Sequence, residues 1–324
     1  MPIRTPITRF ALVAANVALL AGLCFLYLRI GLDTADEATA KTIVTRLRMP
    51  RMLCAMGVGA LLSVSGAMMQ GLFRNPLVEP YTMGVSGGAI VGVALAFVCG
   101  AVNAWGSWTV VAGAAMGAMA AMCAALLMRR AAGHDTGVML LCGLTVSFVS
   151  SAVTTVVLAI ATREDMSQIL SWTIGSFENV DDSVAMLTAA VGFAAALSSP
   201  LCGNLLNVLS LGDSEAETLG VDIGKTTTAI FVAATLLTAL SVSAAGVVAF
   251  VGMAVPHMAR ALVGHDHRVS LPLSGLMGAT LMLGCDLLAK TLICPRELPA
   301  GAICAVLGGL MFTYITMRWR RETA

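Results

Sequence analysis

Long apolar runs recur along the whole chain, and they limit its possible folds more than any other feature. A run of about 20 apolar residues is long enough to cross the hydrocarbon core of a bilayer as an α-helix. About ten such runs fit into the 324 residues, at roughly 10–29, 50–71, 83–100, 107–128, 137–161, 183–207, 227–245, 246–262, 271–291 and 299–317. The sequence therefore predicts an all-α polytopic membrane protein with a single transmembrane domain over residues 1–324.

Composition supports this class. Hydrophobic residues make up 58% of the chain and charged residues only 11%, whereas soluble domains carry about 25% charged residues. Abundant Gly, Ala and Met suit close packing of helices in lipid. The nine cysteines are scattered and form no CxxC pair, which indicates buried small side chains and no metal site. The net charge of +1, with no basic run, argues against a nucleic-acid partner.

Two of the predicted spans need special comment. The first run follows Arg4 and Arg9 and lacks a small-residue cleavage site, so we interpret it as an uncleaved first helix. The seventh and eighth runs are crowded, because residues 226–262 are too few for two full spans and a loop. A broken or short helix is therefore expected near Ser241–Gly246, and glycine-interrupted spans often mark the working part of a transporter.

The distribution of Lys and Arg predicts the orientation, because short cytoplasmic loops are enriched in both. With the N-terminus inside, the larger group faces the cytoplasm: Arg4, Arg9, Arg74, Arg129, Arg130, Lys225, Arg260, Arg268, Arg318, Arg320 and Arg321. The smaller group faces outward: Arg29, Lys41, Arg46, Arg48, Arg51, Arg163, Lys290 and Arg296. We therefore expect a multi-pass protein of the inner (plasma) membrane with both termini in the cytoplasm.

Two segments depart from this pattern. Residues 41–51 are basic although they face outward, and residues 213–222 face the cytoplasm with four acidic residues and no basic one. Both could be solvated loops. The functional alternative is a pair of docking surfaces, for an acidic partner outside and a basic partner inside.

The second of these lies in a polar, glycine-punctuated stretch, residues 209–225, which predicts short helical turns around Ser214–Leu219 and again after Gly220. Its sequence Gly220-Val-Asp-Ile-Gly-Lys-Thr-Thr227 looks like a phosphate-binding loop. The P-loop, however, has four residues between its glycines and a strand before it, whereas here there are three and a membrane helix follows. We therefore expect no nucleotide on this chain, so any ATP that drives it binds another subunit.

Other polar residues allow more than one interpretation. His265-Asp-His267 could hold a metal but more simply forms a polar turn. Asp286 and Lys290 are spaced i,i+4 and could pair along one helix face, or either could face a partner or a pore. Arg74-Asn-Pro-Leu77 follows the second span, where Pro76 stops a helix; this segment could be only a turn, or it could be a gate.

Five stretches resemble, in order over about residues 46–317, the permease subunits of type II ABC importers, the family that carries iron-siderophores, haem and cobalamin. They are Arg48–Arg51; Gly66–Leu77 with Pro80 and Gly84; Leu211-Gly-Asp with Leu219-Gly220; Phe250–Arg260; and Asp286–Lys290 with Glu297–Gly301. The resemblance implies a cobalamin-permease-like fold of ten helices and a homodimer with one translocation path. It also implies two cytoplasmic ATPase subunits, which carry ATP and Mg, and an extracytoplasmic substrate-binding protein.

The resemblance also assigns roles by position. Arg48, Arg51 and Lys290 would dock the binding protein, although Lys290 stands where the family usually has Arg, which keeps the charge and loses bidentate pairing. Coupling helices at about 209–224, between the sixth and seventh spans, would meet the ATPase through Gly212, Asp213, Glu215, Glu217, Leu219 and Gly220. The gate and translocation path would include Gln70, Asn75, Leu77, Thr136 and Gly137. Gly308-Gly-Leu310 replaces the family's usual Gly-Ala-Pro near the last helix.

The resulting hypothesis is a permease subunit, not itself an enzyme and without a cofactor of its own, for an iron chelate such as a siderophore or haem. Cobalamin or another metal compound is the alternative cargo, because these carriers share the same motifs. An ion-driven secondary transporter is a further alternative. It would need ionisable residues at mid-membrane, where Asp286 is the main candidate.

Overall fold

The computed structural model describes residues 6–31, 36–132, 136–178, 180–294 and 296–323. All regular structure within these ranges is helical. The α-helices are α1 Pro6–Arg29, α2 Glu37–Thr42, α3 Met49–Leu72, α4 Val85–Val98, α5 Ala101–Trp105, α6 Trp108–Ala132, α7 Thr136–Ile160, α8 Arg163–Thr173, α9 Asp182–Leu209, α10 Asp213–Thr218, α11 Ile223–Ala245, α12 Val251–Val263, α13 His267–Thr291 and α14 Ala300–Thr323. A π-helical segment, Ile43–Arg48, joins α2 to α3, and a 3₁₀ turn, Pro80–Met83, precedes α4.

The long helices match the predicted spans. Seven described helices are long and apolar enough to cross a membrane, and three shorter apolar helices lie at Val85–Val98, Val251–Val263 and Ala300–Met311. Each predicted range overlaps one of these helices, so the all-helical polytopic class is confirmed. How many of them cross the bilayer stays a prediction.

Helix α3 lies at the centre of the bundle, in contact with α9, α11, α12 and α13. Three of its glycines bring it against neighbouring backbones. A Cβ at Gly57 would lie 2.6 Å from the Thr188 carbonyl of α9, one at Gly59 would lie 2.2 Å from the Gly278 oxygen of α13, and one at Gly66 would lie 1.8 Å from the Gly252 oxygen of α12. Small residues permit such close helix contacts in membrane proteins, and here they hold the central helix against three partners.

The predicted break between the seventh and eighth spans is present. Helix α11 ends at Ala245, and α12 begins only at Val251. Gly246 and Phe250 both have positive φ, +73° and +70°. A positive φ is rare for a bulky residue such as Phe, so the tertiary contacts of Phe250 must hold this conformation.

Two local expectations were wrong. Residues 37–48, expected within a loop, are helical and extend the second span back to Glu37. The turn expected after Gly220 is not a separate helix but the start of α11, where the Asp222 side chain caps the helix by accepting from the Lys225 N–H at 3.0 Å. Both differences arise because polar residues can continue or begin a helix that packs elsewhere.

Candidate functional site

A buried cluster of charged side chains lies at the N-terminal end of α3. The guanidinium of Arg51 binds Asp286 of α13 in bidentate fashion, with Nη2 2.7 Å from Oδ1 and Nε 3.0 Å from Oδ2. Its remaining nitrogen, Nη1, donates to Glu297 Oε2 at 2.5 Å. The hydroxyl of Tyr27, from α1, donates to Asp286 Oδ2 at 2.5 Å. We call these four residues the Arg51 cluster.

Two further cations border the Arg51 cluster. The Lys290 ammonium lies over the Tyr27 ring, 4.1 Å from its centroid, an arrangement that attracts a cation to the face of the ring. Arg48 donates from Nη1 to the Leu28 carbonyl at 3.0 Å, near the end of α1, where a cation is favoured by the helix dipole. The structure therefore brings together all three residues that sequence motifs assigned to docking: Arg48, Arg51 and Lys290.

The pairing inside the cluster differs from one sequence expectation. Asp286 was expected to pair with Lys290 on the same helix, but it pairs with Arg51 across the bundle, and Lys290 packs on Tyr27 instead. A carboxylate buried as completely as Asp286 requires a charged, hydrogen-bonded partner, and the bidentate fork of Arg51 supplies it. The docking role proposed for Arg51 stays a prediction, and any partner would have to engage a guanidinium that is already occupied.

A second polar arrangement surrounds the gap between α11 and α12, and we call it the helix-break junction. A carboxylate oxygen of Glu79 accepts from the Phe250 N–H at 2.7 Å. The Tyr81 hydroxyl accepts from the Val248 N–H at 3.1 Å. Both amides lie where the backbone is not helical, so the segment before α4 supplies the acceptors that a continuous helix would have provided.

Gln70 ties this junction to the end of α3. Its side chain is 3% exposed, and Nε2 donates to the carbonyls of Val78, Gly252 and Met253 at 3.1–3.3 Å. Its Oε1 accepts from Arg260 Nη2. One amide thus connects α3, the segment after it and α12, which places this predicted gate residue at a point where three chain segments meet.

The short helix α10 forms the core of the predicted coupling segment. Gly212 precedes it and Gly220 follows it, both with positive φ, +133° and +82°. Ala216 is fully buried and anchors the helix, whereas Asp213, Glu215, Glu217 and Leu219 are exposed. The helix therefore has one packed residue and presents an acidic face with an apolar residue beside it.

An ion pair joins α10 to the segment that follows α3. Arg74 Nη2 contacts Asp213 Oδ1, with the two side chains 40% and 56% exposed. Arg74 has a positive φ of 49°, which directs the chain out of α3. The predicted gate segment and the predicted coupling segment are thus in direct contact.

The other predicted gate residues are placed as follows. The Asn75 side chain accepts from the Leu77 N–H at 3.0 Å and forms a local turn, while Leu77 is 56% exposed. Thr136 is the first residue of α7, and its side chain lies outside the described part of the chain. Gly137 follows it in the first turn and is exposed.

Sequence reasoning missed Tyr27, Glu79 and Tyr81 as functional candidates and quoted Glu297 only within a motif. For Glu79 a signal existed, because an acidic residue lies there between apolar residues just before a predicted span. For Tyr27 there was none, since its partner Asp286 is 259 positions away.

Comparisons with known proteins agree with this architecture. The model of the FecCD transport family matches residues 10–318. The hemin transport system permease protein HmuU of Yersinia pestis is 32% identical, with 90% of this chain and 87% of that protein covered. The cobalamin import system permease protein BtuC of Halobacterium salinarum is 36% identical, with coverages of 86% and 74%. A solved structure described as an inward-facing conformation of a metal-chelate type ABC transporter aligns with a TM-score of 0.84 at 28% identity, and the alignment covers 95% of this chain and 99% of that one.

Proposed function

This chain belongs to the FecCD transport family, and from that premise we propose that it carries an iron chelate, a siderophore or haem, across the inner membrane. Membership makes it a multi-pass membrane permease of a type II ABC importer, in which ATP hydrolysis belongs to a separate subunit. The iron-chelate cargo is supported by the hemin permease and the metal-chelate transporter among its relatives. Cobalamin is the second candidate cargo, because a cobalamin permease is similarly close.

The proposed assembly has two copies of this chain, two ATPase subunits inside and a substrate-binding protein outside. In it, ten helices cross the membrane, both termini are cytoplasmic, α10 lies inside and the Arg51 cluster lies outside. The ion-driven alternative loses its main candidate, because Asp286 is held by Arg51 and Tyr27 and is not free to bind a transported ion.

The observation that carries this mechanism is the Arg74–Asp213 ion pair. ATP binding closes the ATPase subunits, and α10 moves with them because its acidic face and Leu219 dock there. The ion pair passes that movement to the segment after α3, which Gln70 connects to α12. Helices around the path then switch access from one side of the membrane to the other.

The function is tested by reconstituting the permease in proteoliposomes with the ATPase and substrate-binding protein encoded beside it. Uptake of radiolabelled ferric siderophore, haem and cobalamin is compared with and without internal ATP. ATP-dependent uptake of an iron chelate is the expected result. Uptake of cobalamin alone would replace the cargo, and uptake that continues without ATP would refute the mechanism.

The absorption spectrum of the purified binding protein provides an independent assignment, because haem, cobalamin and ferric siderophores absorb at different wavelengths. Agreement between the spectrum and the transported compound would fix the cargo.

A further inference from the structure

The guanidinium of Arg51 is shared between two carboxylates of very different accessibility. Asp286 takes Nε and Nη2, is 0% exposed, and also receives the Tyr27 hydroxyl. Glu297 takes only Nη1, and its side chain is 36% exposed. Asp286 is therefore fixed within the bundle, while Glu297 reaches Arg51 from the solvent side.

The backbone around Glu297 is also less firmly held than that around Asp286. Asp286 lies inside α13, whereas Glu297 lies in the connection between α13 and α14. That connection is joined to α13 by a hydrogen bond from the Leu298 N–H to the Ala289 carbonyl at 3.0 Å. Glu297 can therefore leave Arg51 without unwinding a helix.

The surroundings favour a second carboxylate at this position. Lys290 and Arg48 lie close enough that their charges interact with each other and with Arg51, Asp286 and Glu297. Three cations thus face two carboxylates, and an arriving acidic side chain would meet an excess of positive charge. Charge complementarity of this kind guides the association of proteins.

We propose that Glu297 is an internal substitute for a carboxylate of the substrate-binding protein. In the undocked permease it occupies Nη1 of Arg51, and on docking an acidic side chain of the binding protein displaces it. The proposal rests on the proposed function, since it needs such a protein to dock at this end of the molecule.

Displacement would have a structural consequence. Glu297 precedes the start of α14 at Ala300, and the Gly301 N–H in the first turn of α14 donates to the Gly175 carbonyl at 3.1 Å. Release of Glu297 from Arg51 therefore frees the chain that leads into α14. Docking at the surface is in this way converted into freedom of a helix end.

The test measures the affinity of the substrate-binding protein for the permease–ATPase complex in nanodiscs, for wild type and for Glu297→Gln. Removal of the internal competitor should lower the dissociation constant by about three- to fivefold, the scale expected for a partly exposed ion pair. The matched control is Glu164→Gln, which removes the same charge from α8 at the same end of the bundle but takes no hydrogen bond from Arg51; its affinity and basal ATP hydrolysis should equal those of wild type.

The remaining outcomes separate the two proposals. If the binding protein fails to bind the wild-type complex, the proposed function fails. If it binds wild type, and Glu297→Gln binds equally or more weakly, the substitute role of Glu297 is refuted while the function stands. Should Glu297→Gln not assemble, Glu297→Asp keeps the charge but shortens its reach, and it must then show a smaller gain in affinity in the same direction.

Discussion

The Arg51 cluster and the helix-break junction both bury polar groups within the bundle, but they satisfy them differently. In the Arg51 cluster, ionised side chains from distant parts of the sequence neutralise each other, so each depends on another side chain. In the junction, the side chains of Glu79 and Tyr81 serve backbone amides that are exposed by the broken helix. The contrast indicates that the first should fail abruptly when one member is removed, and that the second should weaken in steps.

The largest effect is expected for Asp286→Ala. This change leaves the Arg51 guanidinium buried without its main counter-ion and should lower the free energy of unfolding by about 3–5 kcal/mol. Thermal unfolding in detergent, followed by loss of the folded fraction on size-exclusion chromatography, measures it. The double variant Arg51→Met, Asp286→Leu should recover much of the loss, because apolar pairs often replace buried ion pairs at little cost. A double variant as unstable as the single one would contradict this account.

A smaller effect is expected for Glu79→Ala. The Phe250 amide would lose its acceptor in a buried position, which costs about 1–3 kcal/mol. Glu79→Gln is the control, because its amide oxygen can still accept from Phe250. Both are measured by the same unfolding assay, together with uptake, and equal stability of the two variants would show that the hydrogen bond does not hold the junction.

Tyr81→Phe should have a smaller effect still. It removes a single hydroxyl that accepts from the Val248 amide, and a typical hydrogen bond contributes about 1 kcal/mol. The double variant with Glu79→Ala tests the stepwise behaviour of the junction. Losses that add within error would support independent contacts, whereas a collapse like that of Asp286→Ala would erase the distinction between the two regions.

The smallest change in stability is expected for Arg74→Ala. Its ion pair with Asp213 is exposed, and such pairs contribute about 0–1 kcal/mol. If the pair transmits movement from α10, transport should fall sharply while ATP hydrolysis by the assembled complex persists. Proteoliposome uptake per ATP hydrolysed measures this coupling, with Arg130→Ala as the control on a neighbouring basic residue outside the pair; unchanged coupling in Arg74→Ala would remove the proposed route.

The sequence was a good guide to elements that depend on local chemistry. Apolar runs located the long helices, crowding of the seventh and eighth runs located the break at Gly246, and glycines on either side of an acidic stretch located α10. Each signal arises from neighbouring residues, so no knowledge of the tertiary structure was needed.

The remainder depends on contacts between distant residues. Arg51 and Asp286 are 235 positions apart, and the sequence suggested instead the nearer pair Asp286 and Lys290. The positive φ of Phe250 exists because Glu79, from another segment, supplies its acceptor. The helix over 37–48 was missed because its charged residues resemble those of a solvated loop.

The three glycines of α3 also limit how the molecule can move. Gly57 and Gly66 are separated by about 13 Å along the helix axis, and between them Gly59 contacts a third helix, so the central helix is keyed to its neighbours at three heights. A key at one height would allow rotation and sliding, but three facing different helices allow neither. We therefore expect α3 to act as the fixed axle of any change in shape, with the moving parts confined to helices that touch it through side chains alone.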